Sequence, residues 1–194
     1  MLFRSDHGVD LEIDKTYRYC VLSNRKKNYL GVTKQGKVDV KGLTGKKSHT
    51  PPFIKNLFYE LLEVLSKVQN IEDFTKAKKE ISEKISECGK KVQSKDIPLK
   101  DLTFNVMLSK SPSEYTKTIP QHIRAAKLLE SIRELKKGDR ISYIKTIDRV
   151  GVKPLELAKK EDIDASKYIE FMESTLEQIT SSMDLDFDTI LGKP

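Results

Sequence analysis

The sequence predicts an α+β fold in which a small antiparallel sheet comes first and a mainly helical region follows. Three short runs near the N-terminus are rich in β-branched and aromatic residues, which is typical of strands. Further on, apolar residues recur at the spacing of amphipathic helices. With 194 residues, 37% of them hydrophobic, the chain can bury a core of ordinary size. We place the sheet in residues 1–50 and the helical region in residues 51–194.

The strands of the predicted sheet are short and close together in the sequence. They span residues 16–22, 28–32 and 37–40. The last two are joined by Lys-Gln-Gly at residues 34–36, and glycine beside polar residues is the usual signal of a turn. The three strands are therefore expected to form an antiparallel meander.

Four helices are expected after residue 50. Proline is tolerated in a first helical turn, and acids suit a helix N-terminus. Taking glycine or a break in the apolar pattern as the end, we predict a helix that opens at Pro51-Pro52, one from residue 71 to Gly89, one that starts at Pro120, includes Ile132 and ends before Gly138, and one from Asp164 to Met183. Residues 102–108 and 140–146 are expected to be extended.

Composition excludes several classes of protein. No apolar run approaches the ~20 residues that span a bilayer, and the N-terminus lacks the hydrophobic centre of a signal peptide. We therefore expect a cytoplasmic protein with no membrane partner. Cys20 and Cys88 stand far apart without the spacing of a metal site, so two ordinary thiols are expected instead of a disulfide or metal ligands.

Positive charge is concentrated in one part of the chain. The formal net charge is +7, and residues 15–47 contain many cations but a single acid, Asp39. The cations there are Lys15, Arg18, Arg25, Lys26, Lys27, Lys34, Lys37, Lys41, Lys46 and Lys47. From residue 161 onward acids predominate instead. This asymmetry indicates that one end of the molecule faces a polyanion.

No common catalytic motif is present. The sequence lacks the GxxxxGK[ST], GxGxxG, GxSxG and HExxH patterns and any zinc-type spacing of cysteine and histidine. Candidate ligands for paired metal ions are Asp6 with Asp10, or Asp10 with Glu12 and Asp14. A nuclease would use Asp6, Asp10 and Glu12. The alternative is that these acids flank a strand or belong to a frayed terminus. No self-contained active site is expected.

The cation-rich sheet is the strongest candidate for function. Lysine and arginine bind phosphates, and a tyrosine among them can stack on or hydrogen-bond to a sugar or base. Residues 25–27 are all cationic and precede Tyr29 at the start of a predicted strand, which would fix their direction, and Lys46-Lys47 follow the meander. We interpret these residues as a nucleic-acid contact. The alternatives are a solvated basic face and a small interaction module that docks on an acidic protein.

A series of short motifs runs along the chain in a fixed order. They are KKNY at residues 26–29, KGL at 41–43, KK at 46–47, EYTK at 114–117, PQHI at 120–123, GDRI at 138–141 and KYI at 167–169. Each is short, but together they are distributed over most of the chain, from residue 26 to residue 169. In this order and spacing they resemble the C-terminal palm edge and thumb of family B DNA polymerases of the archaeal replicative type.

The resemblance implies an architecture and a function. Residues 1–50 would form the palm edge, with its KKxY-type motif, and residues 51–194 the thumb, binding primer–template duplex through backbone contacts in DNA replication. The residues implied to contact DNA are Arg25, Lys26, Lys27, Tyr29, Lys41, Lys46, Lys47, Tyr115, Lys117 and His122. For Tyr115 the alternative is packing in the core. For His122 it is capping of the helix that opens at Pro120.

The resemblance also implies what a complete enzyme would draw from elsewhere. In the family, palm aspartates bind two Mg²⁺ ions that activate the primer 3′-hydroxyl, and their motif stands upstream of the lysine motif. That motif is absent here, so we expect neither a cofactor in this chain nor activity of the chain alone. The implied partners are primer–template DNA, the remaining polymerase segments and, for the complete enzyme, a sliding clamp. The chain is then either a fragment of a longer product or the small chain of a polymerase encoded in two pieces.

Overall fold

The computed structural model describes residues 13–22, 27–42 and 49–192. Within these ranges it contains two antiparallel sheets and several helices, which confirms the predicted α+β class. The strands are β1 (Tyr17–Leu22), β2 (Tyr29–Thr33), β3 (Val38–Lys41), β4 (Phe104–Met107), β5 (Arg140–Lys145) and β6 (Val152–Pro154). The α-helices are α1 (Pro52–Ser66), α2 (Ile71–Gln93), α3 (Gln121–Leu129), α4 (Ala165–Thr180) and α5 (Phe187–Ile190). None of these helices has the length and apolarity needed to cross a bilayer.

The first sheet contains the three predicted strands in the order β1-β2-β3. Leu30 and Val32 of β2 pair with valines of β3 and are buried on the inner face, against the core. The predicted turn between β2 and β3 is confirmed. Gly36 has φ +81°, a conformation that glycine adopts without strain, and its N–H donates to the Thr33 carbonyl oxygen at 2.9 Å.

Two side chains beside a β-bulge in β1 form hydrogen bonds with the end of α1. The register with β2 shifts between Tyr17 and Tyr19. Nearby, Arg18 donates from Nη2 to the Ser66 carbonyl oxygen at 2.8 Å, and the Tyr19 hydroxyl donates to the Leu65 carbonyl oxygen. The last carbonyl groups of a helix lack α-helical partners, so these two side chains supply donors to acceptors at the end of α1.

The prediction that α2 ends at Gly89 is wrong, because the helix continues to Gln93. Its start is capped by Asn70, whose Oδ1 accepts the backbone N–H of Asp73 at 2.9 Å. Gly89 is buried, and a Cβ added there would lie 2.4 Å from Cδ2 of Leu191. Glycine at this position therefore makes room for the packing of the C-terminal segment and does not end the helix.

The region after residue 50 contains a second sheet, in the order β4-β5-β6. The two extended segments predicted there are confirmed as β4 and β5. The third strand, β6, was not predicted, because three residues that include a proline are too short to show an alternating pattern. A turn held by Asp148, whose carbonyl oxygen accepts the Gly151 N–H at 2.9 Å, leads into β6.

The third helix, α3, is shorter than predicted, because it ends at Leu129 and does not include Ile132. The Gly138 N–H donates to the Leu108 carbonyl oxygen at 2.8 Å, and the Leu108 N–H donates to the Asp139 carbonyl oxygen at 2.8 Å. These bonds extend the pairing of β4 with β5. The chain has to leave the helix before residue 138 to make them.

The last long helix is confirmed as α4, which continues into a 3₁₀ turn at Ser181–Met183. It packs aromatic residues against the second sheet: the Phe104 ring centroid lies 5.4 Å from that of Phe171 and 6.1 Å from that of Tyr168. Asp164 caps its N-terminus by accepting the Lys167 N–H at 3.1 Å.

Candidate nucleic-acid interface

Three of the predicted DNA-contacting residues lie together at one end of the first sheet. Lys27 is exposed in the turn between β1 and β2, and the half-buried Tyr29 opens β2. Lys41 ends β3, is exposed, and pairs with Tyr29 in the register of the two strands. Directly opposite residues in an antiparallel pair have neighbouring side chains. The sheet therefore sets two cations and an aromatic ring close to one another.

The backbone at this end of the sheet is left-handed at two positions. Lys27 has φ +63°, which costs a residue other than glycine roughly 1–2 kcal/mol. Gly42 has φ +72°, and a Cβ there would lie 1.8 Å from Oδ1 of Asn28 and 2.9 Å from the Lys27 carbonyl oxygen. No other residue fits at position 42 without displacing the turn. The glycine of the KGL element thus lies directly against the turn of the KKNY motif.

Part of the predicted interface lies outside the described residues, namely Arg25, Lys26, Lys46 and Lys47. The same holds for three of the acids considered as ligands of paired metal ions, Asp6, Asp10 and Glu12, whereas Asp14 is described and exposed. Within the described ranges, no group of three or more His, Cys, Asp and Glu side chains is arranged to hold a metal ion. The described residues therefore offer no fit for the Mg²⁺ that the resemblance implies for a complete enzyme.

A hydrogen-bond network on the outer face of the first sheet, opposite the core, was not predicted. Oδ2 of Asp39 accepts from Lys15 Nζ at 2.7 Å and from the Tyr17 hydroxyl at 2.6 Å. The hydroxyl oxygens of Tyr17 and Tyr29 lie 3.4 Å apart, and the two rings meet edge to face with centroids 6.0 Å apart. Tyr29 is thus connected to the acid through Tyr17.

This network changes the proton affinity of two of its members. The hydrogen bond to Asp39 raises the pKa of Tyr17 well above that of an ordinary tyrosine, and the same carboxylate raises the pKa of Lys15. Both side chains therefore keep their protons to a higher pH than an ordinary tyrosine or lysine. The sequence signal that could have revealed this network was Asp39, the single acid among the cations of residues 15–47.

The remaining predicted contacts lie just before and at the start of α3. Tyr115 is half-buried against the core, and its hydroxyl lies 2.9 Å from Oγ of Ser109, which supports the packing alternative. His122 meets the Tyr115 ring edge to face, with centroids 6.5 Å apart, and burial lowers the pKa of its imidazole. The N-cap of α3 is Pro120, and within the described residues the His122 side chain accepts no capping hydrogen bond from the first N–H groups of the helix. Lys117 is exposed.

The sequence is similar over most of its length to known DNA polymerases. The family model described as DNA polymerase family B matches residues 3–188. DNA polymerase 1 of Aeropyrum pernix is 40% identical over 187 residues, which cover 96% of this chain and 20% of that protein. DNA polymerase 1 of Sulfurisphaera ohwakuensis is 42% identical over 179 residues, which cover 92% of this chain and 20% of that protein. The chain thus spans about a fifth of the length of these curated relatives.

A solved structure has a similar fold. The family B DNA polymerase from the hyperthermophilic archaeon Pyrobaculum calidifontis aligns with a TM-score of 0.63 at 21% sequence identity. The alignment covers 92% of this chain and 22% of that chain. At this identity the likeness shows a shared fold and nothing finer.

Proposed function

The chain belongs to DNA polymerase family B, and from this membership we propose that it is a C-terminal portion of a DNA-directed DNA polymerase that binds primer–template duplex in replication. Residues 1–50 form the palm edge and residues 51–194 the thumb. The catalytic carboxylates and their Mg²⁺ come from other polymerase segments, in the same or a separate chain. A sliding clamp is a further partner of the complete enzyme, which acts in the cytoplasm.

The grouping of Lys27, Tyr29 and Lys41 carries this proposal. Ammonium groups neutralise DNA phosphates, and a tyrosine between them contacts a sugar or base. In the described part of the chain, neither lysine has a carboxylate partner, so both charges are available to a phosphate. By contrast, Lys67 and Lys91 are paired with Glu63 and Glu87 at 2.9 Å and 2.7 Å.

The position of Gly42 supports the same conclusion. It brings the chain after β3 against the turn that holds Lys27, so that Gly42 of one motif lies beside Lys27 and Asn28 of the other. Contacts of this kind, to the DNA backbone, do not depend on base sequence. Their function is to hold the duplex in register with an active site that other segments provide.

Binding of the chain to a primed DNA duplex, measured at several salt concentrations, tests the proposal. We expect weak binding, with a dissociation constant of about 10⁻⁴–10⁻⁶ M, whose logarithm depends linearly on the logarithm of salt concentration. The double variant Lys27→Ala/Lys41→Ala should bind more weakly and reduce the salt slope by about one unit per lysine.

The matched control is Lys67→Ala/Lys91→Ala, which removes the same charge from lysines already paired with glutamates. It should leave the salt slope nearly unchanged. Absence of salt-dependent binding by the unaltered chain would overturn the proposal and favour an acidic protein as the partner. Equal effects of the two double variants would mean that binding follows net charge and not this surface.

A further inference from the structure

The outer face of the first sheet holds a bridge that spans all three strands. Tyr17 lies on β1 and Asp39 on β3, and β2 separates these strands. The Tyr17 ring crosses β2 above Gly31, where an added Cβ would lie 2.5 Å from two atoms of the ring. A glycine inside a strand often marks such a close approach. The bridge therefore depends on Gly31.

The β-bulge in β1 is the second feature that the bridge requires. In a regular strand residues two apart share a face, so Tyr17 and Tyr19 would point the same way. The register shift between them breaks this alternation. The Tyr19 hydroxyl contacts the Leu65 carbonyl oxygen of α1, whereas the Tyr17 hydroxyl contacts Asp39 on the opposite face.

The hydrogen bonds of the bridge have a fixed direction. A tyrosine hydroxyl has one proton to donate, and Tyr17 donates it to the Asp39 carboxylate at 2.6 Å. The Tyr17 oxygen is then the acceptor for Tyr29, whose hydroxyl oxygen lies 3.4 Å away. This separation exceeds the ~2.8 Å usual between hydroxyl groups, so the contact orients Tyr29 more than it stabilises the sheet.

We propose that Tyr17 and Asp39 are positioning residues, which hold the ring and hydroxyl of Tyr29 in the orientation that contacts primer–template duplex. This inference rests on the proposed function, because it requires Tyr29 to touch DNA. Lys15 binds the same carboxylate oxygen at 2.7 Å and balances its charge. The acid is thereby tolerated on a surface where Lys27 and Lys41 attract phosphates.

A double-mutant cycle on DNA affinity tests the proposal, with the 194-residue chain and the same primed duplex. The variants are Tyr17→Phe, Tyr29→Phe and the two combined. Tyr17→Phe should weaken binding roughly two- to tenfold, the range of one hydrogen bond, and should add nothing once Tyr29 is phenylalanine. Because the charge is unaltered, the salt slope should stay the same in all variants.

Two further variants separate positioning from folding. Tyr19→Phe removes a hydroxyl from the same strand on the face toward α1, so it should lower the thermal unfolding temperature without energetic coupling to Tyr29 in DNA binding. Gly31→Ala displaces the Tyr17 ring directly. It should weaken binding as Tyr17→Phe does, and again only while Tyr29 keeps its hydroxyl.

The outcomes distinguish failure of this inference from failure of the proposed function. If the unaltered chain shows no salt-dependent binding, both fail. If it binds but Tyr17→Phe has no effect, or weakens binding equally with and without the Tyr29 hydroxyl, the positioning role is overturned while the proposed function stands.

Discussion

The hydroxyl of Tyr168 in α4 donates a hydrogen bond to the carbonyl oxygen of Leu102 at 2.7 Å, inside the core. The hydroxyl oxygen of Tyr168 in turn accepts the backbone N–H of Lys145 at 2.9 Å. Because Tyr168 has no exposed surface, water cannot replace it as the partner of either group. One side chain therefore joins α4 both to β5 and to the segment that leads into β4.

Replacement of Tyr168 by phenylalanine should lower the free energy of unfolding by about 1–3 kcal/mol, since it leaves the Leu102 carbonyl and the Lys145 N–H buried without this partner. Urea titration followed by circular dichroism measures the change. Tyr143→Phe is the matched control. Tyr143 is also buried at the second sheet, but its hydroxyl has no hydrogen-bond partner among the described residues. Equal losses from both variants would contradict the bridging role.

Gly89→Ala should have opposite effects on two parts of the structure. Alanine favours helix over glycine by roughly 1 kcal/mol, which benefits α2. The new methyl group, however, would meet Cδ2 of Leu191 at 2.4 Å and displace the C-terminal segment. We expect faster amide hydrogen exchange in residues 187–191 with little change in global stability. In a Leu191→Ala background the clash disappears, so Gly89→Ala should there become stabilising; a persistent loss would refute the packing explanation.

The two cysteines should differ in reactivity with a thiol reagent at pH 8. Burial raises the pKa of the Cys88 thiol to about 11, so very little of the reactive thiolate is present, and the side chain is only partly accessible. Cys20 is exposed in β1. The Cys20 thiol should therefore react quickly and the Cys88 thiol slowly. Cys20→Ser should abolish the fast phase, and its survival in that variant would contradict the assignment.

Stability should fall as the pH rises above about 10, partly because of Tyr19. Burial raises the pKa of this tyrosine from 10.0 to about 12. Below pH 10 the Tyr19 hydroxyl is protonated in both the folded and the unfolded state. Between about pH 10 and 12 it ionises in the unfolded chain but not in the folded one, which lowers the free energy of unfolding. Tyr19→Phe should make the decline over this range less steep. Urea titrations at several pH values across this range measure the change.

Elements whose pattern lies within a few neighbouring residues could be read from the sequence. The three strands of the first sheet and the turn at Gly36 follow from composition and spacing over short windows. The two wrong helix ends occur where a distant contact overrides a local signal. A glycine such as Gly89 is a local signal for the end of a helix, but here the close approach of Leu191 explains why glycine is present. The early end of α3 reflects the pairing of Leu108 with residues beyond the helix.

The same distinction between local pattern and distant contact applies to the candidate site. The sequence supplied its components: the cations, the tyrosine of the KKNY motif, the glycine of the KGL element and one acid, Asp39. Their arrangement depends on strand register and on a bulge, which bring together side chains as far apart as Tyr17 and Asp39, 22 positions along the chain. A shift of one residue in register would move every side chain of a strand to the other face. The roles of Gly31 and Gly42, which make room for distant groups, therefore appear only once the strands are paired in space.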